Sequence, residues 1–129
     1  MTARESVDVR AAQGDAMRCM SFAMTPDAIR DRTKTVTRRL GWRFLKVGDL
    51  LRAMDSSTRT GTAKELAVIR VTDLRREKLY AITEEDVARE GLSPHMTPAL
   101  FIVRFCQALG CSPIDEVLRI EFEYVEEER

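Results

Sequence analysis

The sequence predicts an α+β domain whose sheet is mixed or antiparallel and can close into a barrel. Three observations predict it. Strand-like segments stand near both ends of the chain, the helical segments between them are short, and the strand–helix–strand rhythm of a parallel sheet is missing. The 129 residues suit one domain and leave little room for a second. With 44% apolar and 33% charged residues, the composition is that of a globular chain and excludes the disordered and membrane classes.

The elements follow in order. Met17 to Met24 (MRCMSFAM) reads as a first strand. Thr25 and Pro26 then open a short helix to about Arg32, the hydroxyl capping and the proline tolerated where its N–H is not needed. Thr33 to Arg39 (TKTVTRR) is rich in β-branched residues and enters a strand. Lys46 to Asp49 forms a turn into the strand Leu50 to Met54. The small polar residues of Asp55 to Lys64 predict a mobile loop. The apolar run Leu66 to Ile69, with Val71, marks a buried strand over Glu65 to Leu74. Thr83 caps a helix whose first turn is acidic, and Gly91 stops it. Thr97 and Pro98 start a third helix that ends at Leu109 before Gly110. Only Arg104 and Gln107 break its apolar circumference, so it is expected to be well buried. Val117 to Val125 closes the fold as a half-buried strand. Leu118, Ile120, Phe122 and Tyr124 face the core there, and Arg119, Glu121 and Glu123 face water. The domain is thus expected over residues 17–125, with a flexible arm at 1–16 and an acidic tail at 126–129.

Charge and cysteine usage narrow the function. The 21 basic and 21 acidic residues balance, but unevenly along the chain. Arg30 to Lys46 holds seven cations against Asp31, and Ile114 to Arg129 holds seven acids against Arg119 and Arg129. The basic stretch can attract phosphate, or it can pair with the acidic one. The three cysteines (Cys19, Cys106, Cys111) form no CxxC pair, and His95 is the single histidine. This argues against a disulfide framework and a zinc site, so neither metal nor cofactor is expected. That cysteine usage points to a reducing compartment and so to a cytoplasmic expectation; no segment has the length to span a bilayer or the apolar core of a signal peptide.

The chemistry concentrates in Arg32 to Arg39. A desolvated lysine crowded by other cations loses its proton easily and can then take one from a hydroxyl, which makes Lys34 and Thr37 candidates. Three residues apart, they face opposite sides of a straight strand, so the pair requires a bend near Thr35. The plainer alternative is an exposed basic strand whose threonines serve β propensity. Glu90 ends the second helix, where the helix dipole opposes a negative charge; an ordinary exposed glutamate is the alternative. Trp42, beside Arg43, can stack on a base or join the core, and Phe44 is assigned to the core. Arg32, Arg38, Arg39, Arg43 and Trp42 are the candidate nucleic-acid or phosphate contacts.

These residues together resemble the ASCH domain family. Its GxKxxTxR pattern stands here as Arg32 to Arg39, with Lys34, Thr37 and Arg39 matching and Arg32 in the glycine position. The Gly48-Asp49 turn, the helix TEEDVAREGL and the closing strand RIEFEY are similar to the family's, and the late helix with FCQALGC resembles phage and prophage members. The resemblance implies a PUA-like mixed β-barrel with short peripheral helices. It implies binding of RNA, a nucleotide or a modified nucleoside in a base-sized cleft lined by Lys34, Thr37 and Glu90. One small bacterial branch deacetylates N(4)-acetylcytidine. By that likeness Thr37 is the nucleophile, Lys34 its base and Glu90 a charge stabiliser, the products being cytidine and acetate. This chain is longer than that branch and adds a helix near Ala99. A binding module is the leading expectation; an amidohydrolase and a phage-encoded adaptor acting through the acidic tail are the alternatives.

Overall fold

Apolar side chains on alternating positions draw five strands into one sheet. The computed structural model describes residues 17–92 and 94–126. In chain order the elements are β1 (Arg18–Ser21), α1 (Pro26–Arg30), β2 (Val36–Arg39), β3 (Leu50–Met54), β4 (Glu65–Lys78), α2 (Glu84–Arg89), α3 (Pro98–Leu109) and β5 (Glu116–Tyr124). Short 3-10 turns fall at Thr58–Thr60 and Leu79–Ala81. The order in the sheet is β1-β3-β4-β5-β2. β1 runs parallel to β3 and every other pair is antiparallel.

The sheet curls into a half-barrel whose edge strands, β1 and β2, are bridged by a side chain. Arg39 on β2 donates a hydrogen bond to the Ser21 carbonyl on β1, at 2.7 Å. The concave face holds the core, built from Met20, Phe22, Ile29, Leu51, Ile69, Val71, Ile120 and Phe122. The result is the expected α+β architecture, a mixed sheet rolled into a partial barrel with short peripheral helices.

Several expectations change in detail. Thr25 makes no side-chain cap, and α1 stops at Arg30. β4 runs four residues beyond Leu74, because its polar end pairs with β5 through Lys78 and Glu116; a bulge lies between Val71 and Asp73. Arg119 is buried rather than facing water, since α2 brings Asp86 against it. Phe44 is 48% exposed, and it is Trp42 that packs on the core. None of the residues of α3 is buried: the helix spans a cleft instead of lying in the core. The predicted arm at 1–16 and the tail beyond Glu126 lie outside the described residues. Among those residues no helix is long and apolar enough to cross a membrane.

Candidate functional site

The site begins at the end of α1. Arg32 adopts a left-handed backbone conformation, φ 64°, which turns the chain back on itself. The N–H groups of Thr33 and Lys34 both donate to the Ala28 carbonyl, at 3.0 and 3.2 Å. Thr35 is then held from two sides, its N–H on the Arg89 carbonyl (2.8 Å) and its carbonyl on the Phe122 N–H (3.0 Å). β2 starts only at Val36, so Lys34 lies ahead of the strand and Thr37 within it. The left-handed turn thus falls at Arg32, ahead of Lys34, and not near Thr35.

The lysine is buried, and its amine donates to the Glu90 side chain at 2.8 Å and to the Glu90 carbonyl at 2.9 Å. Glu90 caps the C-terminus of α2, against the helix dipole. Two cations offset that: Lys34 on one carboxylate oxygen and Arg38 on the other, at 3.3 Å. Gly91, φ +81°, seals the junction; a Cβ there would lie 2.5 Å from that of Ala28 and 3.0 Å from that of Lys34. Thr37 is buried, and its hydroxyl oxygen accepts from the Arg39 Nε at 3.1 Å.

Lys34, Thr37 and Glu90 line one cleft of about 410 Å³. Phe22 and Met24 form one apolar wall, and Leu92, Met96, Phe101 and Phe105 form another. Burial pushes the Lys34 amine below its ordinary value, an effect that Glu90 partly opposes and that Arg38 and Arg39 reinforce. Burial also lowers Arg39, to about 10. Among the described residues no group of three His, Cys, Asp or Glu side chains could hold a metal ion.

The remaining candidates are dispersed. The Arg38 side chain is fully buried, with one nitrogen 2.6 Å from both Glu77 and Asp86. Its charge is therefore engaged inside the protein, not displayed towards a phosphate. Arg32 is exposed, pairs with Glu126 at 2.6 Å and lies over the Tyr124 ring. Trp42 contacts Phe44, and neither Trp42 nor Arg43 lines the cleft. Among the described residues, Arg39 alone of this group lines the cleft without an ion pair.

Ser21, Phe22, Phe101, Arg104 and Phe105 line the cleft and were not among the candidates. A signal for the last three was present: an unusually apolar helix with Phe101, Arg104, Phe105 and Ala108 on one face.

The architecture has solved counterparts. A crystal structure of an ASCH domain from Lactobacillus crispatus JV V101 superposes with a TM-score of 0.61 at 16% identity, over 92% of this chain and 86% of that one. The fold is that of an ASCH domain. A crystal structure of an Enterococcus faecalis V583 protein of the DUF984 family gives the same TM-score of 0.61 at 18% identity, over 84% of this chain and 76% of that one. No protein-family model and no curated protein matches the sequence. At such identities the likeness carries the ASCH-type fold, and the chemistry is argued from the residues.

Proposed function

We propose that this ASCH-fold protein holds a modified nucleoside or nucleotide in its cleft and hydrolyses an acyl amide on the base, as in N(4)-acetylcytidine. The observation that carries the reading is the buried Lys34–Glu90 pair, 2.8 Å apart, in a cleft whose wall also holds the Thr37 hydroxyl. The reaction type comes from the sequence resemblance at Lys34, Thr37 and Glu90.

The residues divide the work as follows. The Thr37 oxygen attacks the acyl carbonyl carbon while its proton passes to the neutral Lys34 amine. The C–N bond then breaks, and that proton moves to the departing amino group of the base. Water attacks the acyl-threonine in turn, Lys34 taking its proton; the ester C–O bond breaks, the Thr37 oxygen recovers that proton, and the carboxylic acid leaves. The Arg39 hydrogen bond to the Thr37 oxygen favours its deprotonated form. Glu90 stabilises the lysine in its charged state between steps. No hydrogen bond joins Lys34 to Thr37; the amine donates to Glu90 instead, so proton transfer requires it to turn towards the hydroxyl. An extended RNA strand draws less support, because Arg38 is internal and Trp42 and Arg43 stand outside the cleft.

The test incubates the purified protein with N(4)-acetylcytidine and follows cytidine by chromatography. Thr37→Val and Lys34→Ala should each lower the rate by about 10²-fold or more, with Thr37→Val keeping its melting temperature. Binding without product would leave a base-binding module in place of a hydrolase.

A further inference from the structure

We propose that the ligand carries an anionic group, a phosphate monoester or a carboxylate, held between Arg39 on β2 and Arg104 on α3. This rests on the small-ligand reading of the cleft and narrows its substrate class.

The argument is one of charge. Among the described residues the cleft is lined by four cations, Lys34, Arg38, Arg39 and Arg104, and by a single acid, Glu90. Two of the cations have their counter-ions. Lys34 meets Glu90 at 2.8 Å, and Arg38 meets Asp86 and Glu77 at 2.6 Å each. The other two have none among the described residues. Arg39 donates to the Thr37 hydroxyl and the Ser21 carbonyl, and its guanidinium lies 4.7 Å from the centre of the Phe22 ring. Those contacts satisfy hydrogen-bonding geometry without an ion pair, and the nearest opposing charge, Glu90, is already shared between Lys34 and Arg38. Even lowered to about 10, Arg39 stays cationic at neutral pH.

The position of Arg104 is the second observation. Phe101, Arg104, Phe105 and Ala108 follow helical spacing along one stripe of α3, and all four line the cleft. Arg104 is the single cation of that stripe, exposed at the cleft and without an ion pair among the described residues. In the same cleft as Arg39 it supplies a second fork of N–H donors, the kind that suits phosphate and carboxylate. Around the partly buried Arg39 the apolar walls lower the local dielectric and strengthen its attraction for an anion.

Calorimetry on the intact protein at low salt tests this. Cytidine would be compared with its 5′-monophosphate, and N(4)-acetylcytidine with its 5′-monophosphate and with N(4)-succinylcytidine. The phosphates place the charge on the ribose side and the succinyl group places it on the acyl side, so the arms separate the two sources. At least one anionic ligand should bind about ten-fold or more tightly than its neutral counterpart, and the advantage should shrink as salt rises. Arg104→Gln, at an exposed position, should reduce the advantage to within about two-fold, and Arg104→Lys should restore part of it. Equal binding of charged and neutral ligands would overturn the proposal, as would an advantage that Arg104→Gln leaves intact. Product is measured in the same mixtures. Turnover blind to charge sinks this inference and leaves the hydrolase reading standing. Charge-selective binding without turnover does the reverse.

Discussion

Arg32, with a φ of 64°, occupies a backbone position that glycine adopts more readily, and it is the position where the pattern the sequence resembles has glycine. The position follows the end of α1 and requires a left-handed backbone, which costs an L-residue about 1 kcal/mol. Arg32 lies outside the cleft, so the missing glycine bears on the turn and not on ligand approach. Arg32→Gly should therefore raise stability by about 1 kcal/mol, less a small loss from its exposed pair with Glu126, seen as a melting temperature a few degrees higher. Gly91 is the opposite case. It combines φ +81° with a prospective Cβ only 2.5 Å from Ala28 and 3.0 Å from Lys34. Gly91→Ala should cost about 2–4 kcal/mol. It should also slow any turnover, because Ala28 and, behind it, Lys34 must give way. The amine of that lysine sets a pH dependence. Its pKa lies below the ordinary 10.5 because burial disfavours the charged form, and the proposed base is the neutral form. The rate should therefore rise with pH to a plateau whose midpoint lies under 10.5. A flat profile across that range would remove Lys34 as the base.

At the scale of elements, α3 shows what sequence patterns disclose. Its ends were legible from local chemistry. Thr97 accepts from the Leu100 N–H at 3.1 Å, Pro98 opens the helix, and Gly110 closes it at φ 68°. Its burial was not legible, because an apolar circumference says that a helix seeks cover and not what provides it. The far end of β4 was hidden for a related reason: Arg75 to Lys78 show no hydrophobic alternation, and their strand state comes from pairing with β5. The approach of Glu90 to Lys34 spans 56 positions and was suggested only by family likeness, since no local rule links a helix end to a distant turn. Having no buried residue, α3 should open well before the sheet does. Thr97→Ala, losing about 1 kcal/mol of capping, should speed amide hydrogen exchange across Pro98–Leu109 while protection in β3, β4 and β5 stays as it was. Equal acceleration in the strands would mean that α3 belongs to the global folding unit.

Across the whole molecule, a buried ionic network joins segments far apart in the chain. Asp86 on α2 accepts from Arg119 on β5 through both oxygens, at 2.7 and 3.0 Å, and from Arg38 on β2 at 2.6 Å. Arg38 reaches Glu77 on β4 as well. Four elements thus converge on two buried guanidinium groups, on the side of β2 whose Arg38 also touches Glu90. Charges in such a place are stable only as a set, because removing one leaves its partners desolvated and unpaired. Asp86→Ala should cost about 3–5 kcal/mol and loosen the hold of Arg38 on Glu90. Arg119, and after it Arg38, hold the Asp86 carboxyl well below its ordinary 3.8. A carboxyl lowered by folding contributes its full stability above the unfolded value, and that contribution fades as pH falls beneath it. Denaturant midpoints should therefore hold steady down to about pH 4 and drop steeply below. Asp86→Asn, which keeps much of the shape and cannot titrate, should start lower and show a shallower acid decline. Parallel acid limbs in the two proteins would place the acid sensitivity in other carboxylates and deny this network its part in holding α2 against the sheet.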